Sequence, residues 1–285
     1  MRINPFTPGK RPTRPDLFSG RTDELEDGVK LLARTAHGNV RHGLITGDRG
    51  IGKSSLASQL GAIAMGDEKA SGLVERVLDG TRFNFLVAEH ISQEGEGVGD
   101  VVAGLLSSLD RARKKRQLPI TWTIEIDLKL IKGKVGQPDD ARREAISMFV
   151  DEIEKVWQSS EGGINGIVLI IDEVDRIAEV PGVATFFKVA TELMTSRGLE
   201  HVMLLPVGMV GVQELLKAEH ASVARVFDVI HVPLLSKGES IAILERALDE
   251  TQVGIKWDVA EEIARLAGGF PPPRPSTRLR VLRGR

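Results

Sequence analysis

The stretch Gly43-Leu44-Ile45-Thr46-Gly47-Asp48-Arg49-Gly50-Ile51-Gly52-Lys53-Ser54-Ser55-Leu56 decides the fold. Its middle, Gly47 to Ser54, fits the phosphate-binding loop pattern G-x-x-x-x-G-K-[ST]. Glycines at Gly47, Gly50 and Gly52 let the backbone curl until successive N–H groups point at phosphate oxygens. Lys53 brings a mobile positive charge for the β- and γ-phosphates, and the Ser54 hydroxyl suits Mg²⁺. The flanks agree. Gly43 to Thr46 reads as a short buried strand, and Ser54 to Leu60 continues as a helix with Leu56 and Leu60 on one face. The start of that helix adds its positive end to the same anion site. A glycine-rich turn with an incidental lysine would not need both flanks. A nucleotide is therefore expected against Gly47, Asp48, Arg49, Gly50, Ile51, Gly52, Lys53, Ser54 and Ser55.

A second chemical signal is Ile167-Val168-Leu169-Ile170-Ile171-Asp172-Glu173, an uninterrupted apolar strand that ends in two acids. A strand needs such a run when both its faces are buried. Its end puts Asp172 and Glu173 at the carboxyl edge of the sheet, where open α/β folds bind ligands. There Asp172 would hold Mg²⁺ through its water shell, and Glu173 would polarise a water against the γ-phosphate. The next charged residues, Asp175 and Arg176, read as a surface pair.

The bulk numbers set few limits. At 285 residues the chain suffices for one large α/β domain, with or without a small appendage. Its 41% hydrophobic and 27% charged content are those of an ordinary globular protein. A net charge of −2 gives no global electrostatic argument for nucleic acid or an acidic membrane. Cysteine is absent, which excludes disulfides and thiolate metal sites. No helical pair among the six histidines has metal-ligand spacing. The start lacks an apolar segment of signal-peptide length, and no apolar run reaches the length of a membrane span, so a cytoplasmic protein without membrane contact is the default expectation.

In chain order, Arg2 to Asp16 carries four prolines and no period, which predicts an extended arm. A helix follows from about Thr22 to Thr35, with Thr22 as its N-cap and Asp23 and Glu24 in the first turn. Arg82 to His90 is a second strand. A helix from about Gly99 to Lys115 ends in the basic cluster Arg111 to Arg116, which reads as a solvated helix end or, alternatively, a nucleic-acid contact. Ile120 to Val135 alternates apolar and polar residues and looks like a β insertion. Asp139 to Ser159 is a long amphipathic helix whose Trp157 packs in core or groove. His201 to Val207 is a strand broken by Pro206, Gln213 to Glu219 a short helix, and Phe227 to Val232 a fifth strand. Two further helices, Ser240 to Asp249 and Asp258 to Leu266, would begin an α-helical lid.

At this point the chain resembles a P-loop ATPase of the AAA+ and STAND group, including its origin-initiator-like and archaeal-type ATPases, with the additional strand and the catalytic glutamate. The resemblance runs from about Asn4 to Gly269. Asn4-Pro5-Phe6 followed by Leu17-Phe18-Ser19-Gly20-Arg21 is similar to the family's N-terminal linker beside the adenine, which implies Phe18 and Arg21 at the nucleotide. Gly47 to Ser54 matches Walker A and Ile167 to Glu173 matches Walker B. The family's sheet order would be 5-1-4-3-2. His220 to Phe227, with Val232-Pro233-Leu234, resembles the approach to the fifth strand, which implies Arg225 as an arginine finger on a neighbour's nucleotide. ATP is expected over GTP, because no Asn/Thr-Lys-x-Asp guanine-reading motif occurs.

The resemblance has two departures. The family's polar sensor should fall near the end of the fourth strand, where only Gly208-Met209-Val210-Gly211 stands. Ala267 to Pro271 resembles the start of a lid helix, yet prolines and arginines then make up nine of the last 16 residues. That tail is expected to be the truncated or frame-altered end of a longer ATPase. The alternative is a basic tail for an acidic partner or nucleic acid.

The expected fold is a three-layer α/β P-loop core with a parallel sheet. The parts are an extended arm over 1–16, the core over 17–236 with its insertion at about 118–137, a partial helical lid over 237–270 and a Pro/Arg-rich tail over 271–285. The expected function is Mg²⁺-dependent ATP hydrolysis coupled to conformational change or assembly on a protein partner or homo-oligomer. Lys53, Glu173 and Arg225 would be catalytic, and Ser54 and Asp172 would hold Mg²⁺. The alternatives are a nucleotide-gated module with little hydrolysis and a DNA-associated initiator- or transposition-type ATPase.

Overall fold

A computed structural model describes residues 18–78, 80–118, 139–160, 162–249 and 254–271. The N-terminal arm, the alternating stretch from Ile120 to Val135 and the tail beyond Pro271 lie outside the described residues. Five strands form one sheet: β1 (His42–Gly47), β2 (Phe85–Ile91), β3 (Gly166–Asp172), β4 (Val202–Met209) and β5 (Phe227–Val232). Their order is β2-β3-β4-β1-β5, the expected 5-1-4-3-2 seen from the other edge, and every pairing is parallel. The main helices are α1 (Thr22–Ala36), α2 (Lys53–Ala64), α3 (Val98–Lys115), α4 (Asp139–Ser160), α5 (Val183–Ser196), α6 (Val212–Glu219), α7 (Lys237–Asp249) and α8 (Trp257–Ala267).

The layers follow from side-chain alternation along buried strands. All seven residues of β3 are buried. Its Val168 and Ile170 enter one apolar core with Leu25, Leu32, Leu56 and Leu60 of α1 and α2. Ile167, Leu169 and Ile171 point the other way, to Leu105 and Leu109 of α3, Phe149 and Ile153 of α4, and Phe187 of α5. The result is an α/β/α sandwich. A fully buried side chain of this size contributes roughly 1.5–3 kcal/mol, so neither face is dispensable. Trp157 of α4 stacks on His201, ring centres 4.6 Å apart, and α7 and α8 meet through Ile241, Ala260 and Ala264.

Three local expectations are corrected. Thr22 does not cap α1: the N-cap is Arg21, in the left-handed region at φ 61 and without a side-chain cap, because Gly20 and Arg21 turn the chain before the helix begins. β2 starts at Phe85 rather than Arg82. Just before it, Asn84 is held by Asn165, whose Oδ1 accepts the Asn84 N–H at 2.9 Å. Pro206 does not break β4. The strand pairs with β3 through Ile171↔Pro206 and with β1 from Ile45↔Val207 onward. A residue without an N–H is tolerated in this central strand where the ladder passes from one neighbour to the other.

His42, at the start of β1, is 6% exposed, and its Nδ1 accepts the N–H of Leu204 in β4 at 3.1 Å. Burial pushes its pKa down to about 4, and Arg41 adds to the effect. Because this value lies below the ordinary 6.5, the contribution to stability is complete above pH 6.5 and is lost as pH falls towards 4. Its full size is roughly 3 kcal/mol. NMR titration should give the His42 ring a midpoint near pH 4 in the folded protein, and a midpoint near 6.5 would contradict the buried, neutral imidazole.

Candidate functional site

Parallel pairing sends the C-terminal ends of β1 and β3 to one edge of the sheet, with the end of β4 between them. The glycine-rich loop leaves β1 at that edge, and Asp172-Glu173 leaves β3 there. Gly47 closes β1 where a Cβ would lie 2.8 Å from the carbonyl oxygen of Val232, so nothing larger fits. Gly50 and Gly52 follow with φ of 79 and 108, and α2 begins at Lys53 without a side-chain cap. Its first N–H groups thus stay available for an anion. The Lys53 ammonium donates to the carbonyls of Gly47 (3.0 Å) and Asp48 (2.9 Å). Burial lowers the pKa of Lys53, and the attraction of Asp175, Asp172, Asp48 and Glu173 opposes it. The loop and the acids after β3 therefore share one electrostatic site.

Asp172 is 1% exposed, with Oδ1 accepting the N–H of Glu173 at 2.7 Å and its carbonyl that of Ser92 at 2.9 Å. Glu173 leaves the strand at φ 56, an uncommon backbone for a residue with a Cβ. Its carboxylate is ion-paired with Arg176. One carboxylate and the Ser54 hydroxyl beside a phosphate loop suit Mg²⁺, which keeps several waters and takes few protein oxygens. No cluster of three or more His, Asp or Glu that could cage a metal occurs among the described residues.

The expected Asp175–Arg176 pair does not form. The two lie on the tight turn Val174–Arg176, which aims successive side chains about 120° apart. Arg176 turns back to Glu173, while Asp175 Oδ1 accepts the N–H of Met209 at the end of β4, at 3.0 Å. The place of Asp175 has no sequence signal beyond an acid three residues after Asp172.

Arg21 and Phe18 sit behind the loop. The Arg21 guanidinium, 5% exposed, donates to the carbonyls of Ile51 in the loop (2.9 Å) and Pro233 after β5, and the Arg21 N–H donates to Glu239 of α7 (2.8 Å). Burial lowers the Arg21 pKa against the pull of Glu24 and Glu239. Phe18 packs on the core under α1 and α2, and its carbonyl accepts from Arg246 of α7 at 2.6 Å. A Cβ on Gly52 would meet Pro271 at 3.6 Å, so the turn after α8 reaches the loop.

Arg225 is not brought to this edge. It is exposed on the turn before β5, and Phe227 pairs with His42 at the opposite end of β1, about 17 Å from the loop by strand rise. In the basic cluster, Arg113 is buried and paired with Asp110 (2.8 Å), Lys114 pairs with the same acid (2.6 Å), and Arg116 donates to Asn84 (2.6 Å). No described helix is long and apolar enough to cross a membrane.

No protein-family model matches the chain. It is 25% identical over 278 residues to an uncharacterized HTH-type transcriptional regulator of Methanocaldococcus jannaschii, covering 92% of this chain and 60% of that protein. The ORC2 protein of Aeropyrum pernix, solved in ADPNP–ADP complexes, is similar with a TM-score of 0.61 at 16% identity, over 95% of this chain and 63% of that one. The Walker-type ATPase of Pyrococcus abyssi is similar with a TM-score of 0.60 at 16% identity, over 94% and 68% of the two chains. The chain thus spans about three fifths of the length of the M. jannaschii and A. pernix proteins.

Arg21→Ala leaves two carbonyls without their charged donor and is expected to cost about 2–4 kcal/mol in urea unfolding. If Arg21→Lys recovers most of that loss, a single charge suffices and the two-carbonyl fork is unnecessary.

Proposed function

Proceeding from the P-loop AAA+ fold of this chain, we propose that it binds ATP with Mg²⁺ and hydrolyses it, and that the cycle drives conformational change or assembly on a macromolecular partner. One observation carries the reading: the glycine-rich loop and the Asp172-Glu173 pair end at the same sheet edge, with Lys53 in the field of both.

Each residue has a task. The loop N–H groups and the start of α2 hold the phosphates. Lys53 leaves its resting contacts with the Gly47 and Asp48 carbonyls for the β- and γ-phosphate oxygens. Ser54 and Asp172 would hold Mg²⁺, which when bound neutralises charge on the same oxygens. Glu173 orients a water and accepts its proton as the water oxygen bonds to the γ-phosphorus and the bond to the ADP oxygen breaks. For that it must leave Arg176. Phe18 and Arg21 line the site from the N-terminal side, with Arg21 acting through Ile51. α7 and α8 cover it as a partial lid, and Pro271 reaches the loop. Arg225, on the far end of β5, would complete the site of a second copy.

The test is phosphate release from Mg-ATP over a range of protein concentrations, beside direct nucleotide binding. Lys53→Ala should weaken ATP binding, whereas Glu173→Gln should bind ATP normally and lose turnover by about a hundredfold or more. Equal loss of both properties in both variants would contradict these roles. Turnover per molecule that rises with concentration and falls in Arg225→Ala would place Arg225 at a neighbour's nucleotide. Binding without turnover in the unaltered protein would instead favour the nucleotide-gated module.

A further inference from the structure

β4 ends beside the site without a polar side chain: Gly208 and Met209, its last paired residues, are followed by Val210 and Gly211. The structure contains a steric reason at the first of these. A Cβ on Gly208 would lie 2.8 Å from Cγ1 of Val174 and 3.2 Å from Val212. The turn that follows Glu173 therefore already fills the space into which a side chain of β4 would project. That turn is also what crosses the gap between the strands. Beyond Pro206, β4 is paired only with β1, so its other edge loses the ladder to β3. Asp175, half-buried on the turn, takes up the Met209 N–H at that open edge with Oδ1 at 3.0 Å.

We propose that Asp175 is a positioning residue for hydrolysis: its hydrogen bond to the Met209 N–H locks the Glu173 turn onto β4, and so sets where Glu173 stands relative to Lys53. This rests on the ATPase reading above. The turn has two attachments to β4, the Val174 side chain packed on Gly208 and the Asp175 carboxylate on Met209. Packing of Val174 fixes the inner side of the turn, and the hydrogen bond adds a directional tie at Met209. The location fits the task, because the Asp175 carboxylate is among the charges that attract the Lys53 ammonium. Glu173 lies two residues before Asp175, so a displaced turn moves the group that must hold the attacking water.

The experiment compares unaltered protein, Asp175→Ala and Asp175→Asn, each with a melting curve, ATP and ADP affinities, and turnover of Mg-ATP. Asp175→Asn keeps an oxygen for the Met209 N–H and discards the charge, whereas Asp175→Ala discards both. Asp175→Ala should lose about tenfold or more in kcat with ATP affinity within about threefold, and Asp175→Asn should restore most of kcat. Unchanged kcat in Asp175→Ala, or equal damage in the two variants, overturns the proposal. If Asp175→Ala does not fold, Asp175→Ser, too short to reach the amide, takes its place with the same expectations. If the unaltered protein binds ATP without turnover, the ATPase reading fails, and the ATP-over-ADP preference decides about Asp175 instead. A preference lowered several-fold in Asp175→Ala and restored in Asp175→Asn supports positioning at the γ-phosphate end, whereas an unmoved preference overturns it.

Discussion

The exchange of partners along β4 governs the geometry of the whole site. Over Val202 to Pro206 the strand is laddered to β3, and from Val207 to Met209 it is laddered to β1. A strand paired on both sides to its end would bring β3 and β1 flush against it at the carboxyl edge. Here β3 ends at Asp172, one residue past its last pair with β4 at Ile171↔Pro206, and the β3 side of β4 opens beyond it. Asp172 lies beside that opening, and the loop after Gly47 lies across β4 from it. The apolar sandwich is what makes this placement rigid. Both faces of β3 are buried, so neither strand can slide without exposing Val168 and Ile170 on one side or Ile167, Leu169 and Ile171 on the other.

The charges at this edge are satisfied locally. Lys53 is held by two carbonyls of its own loop, and Glu173 by Arg176 three residues away. Both are short-range contacts, and the Glu173–Arg176 pair is partly exposed, so its separation costs little. Asp172 is different. It is buried, and its Oδ1 accepts the next backbone N–H. The site thus combines one buried acid with two charged groups held by short-range contacts.

The parts legible from sequence are those that local chemistry dictates. The glycine spacing at 47, 50 and 52 corresponds to a real need for tight approach or left-handed backbone at each position. The unbroken run from Ile167 to Ile171 reflects burial on both faces, and β5 has the expected bounds from Phe227 to Val232. What escaped reading depends on tertiary placement. Thr22 followed by two acids has every local mark of an N-cap, yet the left-handed turn at Gly20-Arg21 moves the cap back one residue. Pro206 reads as a strand breaker until the partner of each β4 segment is known. Asp175 next to Arg176 reads as a surface pair, because sequence proximity carries no information about a backbone N–H on another strand.

Arg21 shows how the site is joined to the rest of the chain. Its guanidinium joins the loop at Ile51 to the segment after β5 at Pro233, while its N–H holds Glu239, whose other oxygen accepts the Ser236 N–H and hydroxyl at 2.8 Å. The fit is close, since a Cβ on Gly20 would lie 2.9 Å from Glu239 Oε1. A second tie runs from Arg246 to the Phe18 carbonyl, and a third from the Leu235 N–H to Gly269 beyond α8 (2.7 Å). α7 therefore cannot tilt as a free body on the sheet. Any tilt that breaks the Glu239 contact leaves the Arg21 N–H without its acceptor, and any tilt that keeps it pulls on the residue bonded to the phosphate loop. Arg21 therefore ties the glycine-rich loop and α7 to each other directly, without passing through the sheet.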